Sequence, residues 1–282
     1  MNDACEKSSQ DKSAGSFART HTLMLASVMS AAEARACVGA GVDVVDCKDP
    51  GNGALGALNL EDVKNITADV HGRVPVSATV GDLPCRVEPL VEAVSRTAEA
   101  GVDFVKVGLF TGEAGKDGDD LDVLMVIEAL GRLQLHSARL VAVLLTDQGF
   151  DSSLISALAR AGFSGVMVDT ADKSSGSLVD VLSRAELSRF VELSRQFGLF
   201  CGLAGRLRLS HIPEILGYGP DIVGFRGALC QRLERGGELD VRALAAVRRA
   251  IPKSPVQALS LLHKVACHER SIDQRVEPVL TL

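Results

Sequence analysis

The sequence predicts an α/β protein built as a single (β/α)8 TIM-type barrel. Apolar runs of strand length alternate eight times with amphipathic stretches of helix length between residues 20 and 251. The runs are continuously apolar rather than alternating, as strands covered on both faces must be. Glycines recur where a helix hands over to the next strand, at Gly41, Gly101, Gly162 and Gly198, in the place a left-handed C′ residue takes. Eight βα units in that length suit a closed barrel, which needs about 250 residues. An open doubly wound sheet satisfies the same alternation and is the other arrangement open at this point.

The elements follow in order. HTLMLASV (21–28) reads as the first strand, with a helix over 30–39, and VDVVDCK (42–48) as the second, with a helix over 60–70. VPVSATV (74–80) precedes a helix over 87–100, and VDFVKVGL (102–109) precedes one over 121–133. RLVAVLL (139–145), SGVMVD (164–169), LFCGLAG (199–205) and DIVGFRG (221–227) complete the strands, each followed by helical spacing, at 153–161, 187–197, 210–216 and 241–250. The motif AGVD-(V/F)-V occurs twice, at 40–45 and 100–105, and each copy leads to a lysine. Residues 1–19 are polar and read as a flexible tail, and 252–282 as a C-terminal extension with helical spacing in its middle.

Composition narrows the function. A hydrophobic fraction of 46% with 23% charged residues indicates a soluble protein with a large core. Net charge is −6, and the chain has no basic stripe interleaved with aromatics, which argues against a nucleic-acid partner. No apolar stretch reaches the ~18 residues of a membrane span, and the first residues lack a signal-peptide core. The seven cysteines are scattered singly, without a CxxC pair, and read as reduced thiols of a cytoplasmic protein. The six histidines show no metal-ligand spacing, so no metal is expected.

The chemistry lies in the lysines. Arg outnumbers Lys 21 to 9, yet three of the nine lysines, Lys48, Lys106 and Lys173, stand at the ends of buried-strand runs. An amine in low dielectric or beside other cations becomes a nucleophile, which a guanidinium cannot. Asp46 lies two residues before Lys48, on the same strand face, and Asp169 four before Lys173. Lys48, Lys106, Asp169 and Arg226 fall near the ends of strands two, four, six and eight, so their convergence at one mouth is expected. GLAGRL (202–207) and GFRGALC (224–230) follow strands seven and eight, where barrels bind phosphate on backbone N–H groups. Gly205, Arg206, Arg226, Gly227 and Ala228 are the phosphate candidates. PGNGALGAL (50–58) reads as a flexible loop over Lys48, and Asp82 and Asp147 could each turn into the mouth. The acidic residues Asp117, Asp119, Asp120 and Asp122 read as solvating and capping the fourth helix.

In order along the chain, DVVDCKDPGNGALGA, VSATVGDLP, GVDFVKVGLF, GVMVDTADK, GLAGRL and GPDIVGFRGALC resemble the (5-formylfuran-3-yl)methyl phosphate synthase family, over roughly residues 22–250. The D-x-K-(D/N)-P-x-x-G-x-L-G-A segment is the most specific part. The resemblance implies a lyase without a cofactor that condenses two glyceraldehyde 3-phosphate molecules, losing phosphate and water, for methanofuran-type one-carbon carriers in methanogens and methylotrophs. It implies that Lys48 forms the imine beside Asp46, that Lys106 is a second essential lysine, and that Asp169 and Lys173 form a further pair. Lys106 is expected to lower the proton affinity of Lys48. A homo-oligomer is compatible with this. A class I aldolase acting on sugar phosphates, or a non-catalytic barrel that binds phosphorylated metabolites, would use the same features.

Overall fold

A computed structural model describes residues 21–109, 120–146, 151–171 and 176–253. The elements are β1 (Leu23–Val28), α1 (Ala31–Gly39), β2 (Val44–Cys47), α2 (Leu60–Val70), β3 (Val76–Thr79), α3 (Val87–Glu99), β4 (Phe104–Leu109) and α4 (Asp120–Gly131). They continue with β5 (Arg139–Leu145), α5 (Ser153–Arg160), β6 (Gly165–Asp169), α6 (Leu178–Val181), α7 (Arg184–Gln196), β7 (Phe200–Leu203), α8 (Ile212–Gly217), β8 (Ile222–Phe225) and α9 (Val241–Ala250). The strands pair in sequence order and β8 returns to β1, all parallel, so the sheet is a closed barrel and not an open one. Among the described residues no helix is long and apolar enough to cross a membrane. The tail 1–19, nearly all of the extension 252–282, Asp147, Lys173, Asp117 and Asp119 lie outside the described residues, as do the side chains of Asp120 and Asp122.

The two-residue period of each strand divides its side chains between two cores. Outward-facing residues such as Val45, Cys47, Val105 and Val107 join the helices in the larger cluster. Inward-facing Leu23, Leu25, Val44, Phe104, Val141, Met167, Phe200 and Ile222 fill the barrel itself. Phe104 and Phe200 meet edge to face with centroids 5.6 Å apart. Gly165 and Gly202 make room for this filling, because a Cβ on either would sit 2.3 Å from the Phe200 ring or 2.6 Å from Met167. The interior is therefore packed below its mouth.

The repeated AGVD motif has a second purpose beyond its glycine. The Asp43 carboxylate accepts the N–H of Met24 in β1, and that of Asp103 accepts the N–H of Val76 in β3, each at 2.8 Å. Asp221 does the same for Cys201 of β7 at 2.9 Å. Each aspartate thus ties the first turn of its own strand to the neighbour before it, at the N-terminal rim of the barrel. Arg248 of α9 in turn bonds Asp43 and the Gly41 carbonyl, which closes α9 over that rim.

Helix boundaries follow local caps. Ser183 caps α7: the Glu186 N–H reaches the Ser183 hydroxyl at 3.3 Å, and the Ser183 N–H reaches the Glu186 carboxylate at 2.8 Å. This capping box starts the helix at Arg184, three residues before the hydrophobic spacing at 187. The four-residue α6 is too short to show a period and was not expected from the sequence. Cys37, Cys47, Cys85, Cys201 and Cys230 are buried and carry no disulfide. Burial, with Glu33 nearby, pushes the Cys37 thiol up to about 12, and burial pushes that of Cys47 up as well.

Candidate active site

Asp46 and Lys48 alternate with Val45 and Cys47, so both point inward from β2 and its end. Lys106 points inward from β4, but it is the third of that strand's six residues, not its last. The strand continues because Val107, Gly108 and Leu109 stay paired with β5. Lys106 therefore lies within the barrel wall, a layer below the strand ends. Asp169 closes β6.

The charges resolve into two ion pairs. Lys106 Nζ donates to both carboxylate oxygens of Asp46, at 2.9 Å each. The Ser27 and Ser77 hydroxyls complete that carboxylate's shell at 2.9 and 2.6 Å. Asp46 is 0% exposed. Burial alone pushes its carboxyl up, but Lys106, then Lys48 and the Ser77 hydrogen bond, together outweigh it and hold Asp46 below the usual carboxylate range. Lys48 Nζ instead donates to Asp169 Oδ2 at 2.9 Å, across the mouth from β2 to β6. The other Asp169 oxygen accepts the Thr170 N–H at 2.8 Å. Asp46 is thus the partner of Lys106 rather than of Lys48, and Asp169 pairs with Lys48 in the described structure.

One cavity at the mouth is lined by Asp46, Lys48, Lys106 and Asp169, together with Gly205, Arg206, Arg226 and Gly227. Ala228 borders the adjoining outer groove. Among the described residues, no hydrogen bond engages the backbone N–H groups of Gly205, Arg206, Gly227 or Ala228. Gly205 has φ +115°, and a Cβ there would lie 2.9 Å from Thr170, so a side chain is excluded where the loop passes β6. Arg226 is held by several neighbours. Its guanidinium bonds Glu33 of α1 at 2.6 Å and the carbonyls of Ser27, Arg235 and Gly237. With its donors engaged this way, Arg226, which also lines the cavity, fastens the Gly227 turn to α1 and to the 235–237 segment.

The 50–58 loop is pinned, not free. Both Asp82 carboxylate oxygens accept loop amides, from Ala54 at 2.6 Å and Leu55 at 2.7 Å. The Thr79 hydroxyl donates to the Gly56 carbonyl at 3.0 Å. Leu55 is 0% exposed and packs with the barrel-filling residues, so the loop plugs the mouth beside Lys48. Asp82 accordingly turns to the loop backbone and not to the cavity. Sequence reasoning passed over Ser27 and Ser77, whose signal was a polar residue two positions from inward-facing partners in an apolar run. Among the described residues no cluster of metal-binding side chains occurs.

Comparison with known proteins identifies the family and the fold. The sequence model of the 4-HFC-P synthase family matches residues 24–248. A Methanococcus maripaludis (5-formylfuran-3-yl)methyl phosphate synthase is 34% identical over 217 residues, covering 76% of this chain and 92% of the relative. A Methylorubrum extorquens protein, provisionally given the same name, is 36% identical over 232 residues, covering 82% and 92%. Among solved structures, phosphoribosyl anthranilate isomerase from Thermus thermophilus superimposes with a TM-score of 0.56 at 13% identity, over 81% of this chain and 97% of that one. That likeness concerns the barrel alone. The chain belongs to the 4-HFC-P synthase family of enzymes.

Proposed function

We propose that this protein condenses two molecules of glyceraldehyde 3-phosphate into (5-formylfuran-3-yl)methyl phosphate, the furan unit of methanofuran-type carriers, through an imine on Lys48. The observation that carries this reading is the Lys48–Asp169 pair, an almost buried amine held 2.9 Å from a carboxylate at the mouth of a barrel of this family. Asp169 Oδ2 is placed to take the proton that Lys48 Nζ must lose before it attacks a carbonyl. The imine acidifies the neighbouring C–H, and the carbon nucleophile so formed attacks the aldehyde of the second molecule. The hydroxyl of the second molecule then adds to the imine carbon and expels the Lys48 amine, and inorganic phosphate and water leave as the ring closes and aromatises.

Lys106 Nζ serves as the deeper acid–base group, with Asp46 holding its orientation and passing protons during the dehydrations. Lys173, outside the described residues, keeps the role beside Asp169 that the resemblance gives it. The free amides of Gly205, Arg206, Gly227 and Ala228 receive a phosphate group. Support comes from the family match and from the gathering of Asp46, Lys48, Lys106, Asp169, Gly205, Arg206 and Gly227 around one cavity.

The test is incubation with glyceraldehyde 3-phosphate, following phosphate release, ultraviolet absorbance of the furan and borohydride trapping. Furan, stoichiometric phosphate and an adduct on the Lys48 peptide are expected. An adduct with an ordinary aldol product would identify a class I aldolase instead, and neither adduct nor product would leave a binding protein.

A further inference from the structure

The reading above requires two phosphorylated substrates, while the amides at the ends of β7 and β8 form one anion pocket. A groove runs outward from that pocket. Arg206, Gly227 and Arg235 line both spaces, and Arg208 and Ala228 line only the outer one of the two. Three guanidinium groups, those of Arg206, Arg208 and Arg235, therefore border a single groove. Among the described residues none of the three has an ion-pair partner. The carboxylate on the same groove, Glu234, is exposed and pairs with none of them.

The other arginine of this end, Arg226, is fully engaged with Glu33 and backbone carbonyls. Arg206 and Arg235, by contrast, have no carboxylate partner among the described residues, and Arg208 has only Asp180 within electrostatic reach. The walls also hold costly backbone. Arg206 has φ +48°, and on the facing segment Arg232 and Leu233 have φ +53° and +61°, all without glycine. Left-handed backbone at such residues costs of order 1–3 kcal/mol each and gathers at ligand sites. In a chain of net charge −6, a cationic groove contiguous with an imine-forming lysine also concentrates anions locally.

We infer that this outer groove binds the phosphate of the second triose phosphate, on Arg206, Arg208 and Arg235, while the first is held on the backbone amides. This rests on the proposed condensation. Guanidinium groups suit the role because they grip phosphate oxygens in bidentate fashion. Holding the second molecule from outside directs its aldehyde inward, towards the carbon nucleophile on Lys48.

Arg208→Gln tests this, because Arg208 is exposed and does not line the inner cavity. The variant should raise the substrate concentration for half-maximal furan formation about tenfold or more, the usual loss of a charged hydrogen bond. Borohydride trapping of the first triose on Lys48 should keep its concentration dependence within about twofold of the parent, and Arg208→Lys should recover most of the difference. An unchanged half-saturation for furan formation would overturn the assignment. So would equal weakening of trapping and furan formation. Calorimetry with inorganic phosphate reads the groove without the reaction: two ions per parent chain and one per Arg208→Gln chain are expected, and equal binding by both refutes it. If the parent protein forms no imine and no furan, the proposed function fails, while the phosphate count still decides whether the groove is an anion site.

Discussion

Lys106 Nζ sits 2.9 Å from each oxygen of the Asp46 carboxylate, and the two residues come from strands that are not neighbours. β3 separates β2 from β4, so the pair spans the barrel wall from inside, above Ser77 of the intervening strand. Such a pair is weak evidence for net stability, yet removing one member leaves a buried charge uncompensated.

Asp46→Asn should therefore cost about 3–5 kcal/mol in urea unfolding at neutral pH. Lys106→Met should cost a similar amount alone, and the double variant less than the sum. The pH dependence has a definite sign. The folded pKa of Asp46 is depressed, so its contribution is complete above the unfolded value of about 3.9. It disappears as pH falls through the lower folded value. The stability gap between parent and Asp46→Asn should thus be flat from pH 7 to 5 and narrow below about pH 4. A gap that widens on acidification contradicts the ion pair.

Lys48→Arg keeps the positive charge and the link to Asp169 but removes the nucleophile. Furan formation and the borohydride adduct should both vanish, with inorganic phosphate affinity and melting temperature close to those of the parent. Peptide mapping that finds the adduct on Lys106 would reassign the nucleophile.

Asp82 receives two loop amides, so Asp82→Ala leaves two N–H groups without a partner, at about 1–3 kcal/mol for each that stays buried. Limited proteolysis should then cut within 50–58, where the parent resists, and kcat should fall more than imine trapping. Gly53→Ala should behave alike, because its Cβ would fall 1.9 Å from the Asp82 carboxylate on a backbone of φ +108°.

Gly205→Ala meets both a disallowed backbone angle and the flank of Thr170 at 2.9 Å. Phosphate affinity measured by calorimetry should drop at least tenfold, the loss expected when a charge-assisted bond to backbone N–H is misplaced. Retention of parental affinity would move the anion away from the β7 loop.

Residues one strand apart and residues far apart differed sharply in how readable they were. The inward aim of Asp46 and Lys48 follows from a period of two along a single strand, and the closed barrel follows from the regular alternation of elements. The partners did not follow. Whether Lys48 meets Asp46 or Asp169 depends on the stagger between β2 and β6, which is a property of the assembled sheet. The bond from Arg226 to Glu33, 193 positions away, is likewise invisible from the loop that carries Arg226. The 50–58 segment read as flexible from its glycines, yet Gly53 allows close contact with Asp82 and Gly56 with the Asp49 carbonyl, and so they permit rigidity. In AGVD the glycine was understood and the aspartate was not, since its acceptor role appears only when the preceding strand lies alongside.

Asp43, Asp103 and Asp221 fasten β2, β4 and β8 to their neighbours at the rim opposite the lysines. Strand alignment is thereby set from below, by side chains that never meet a ligand. The loops above can exchange residues without renegotiating which strand lies beside which. In evolutionary terms the barrel separates the part that must persist from the part that can be tried anew, and a new specificity could be grafted onto the upper loops while those three aspartates stay in place.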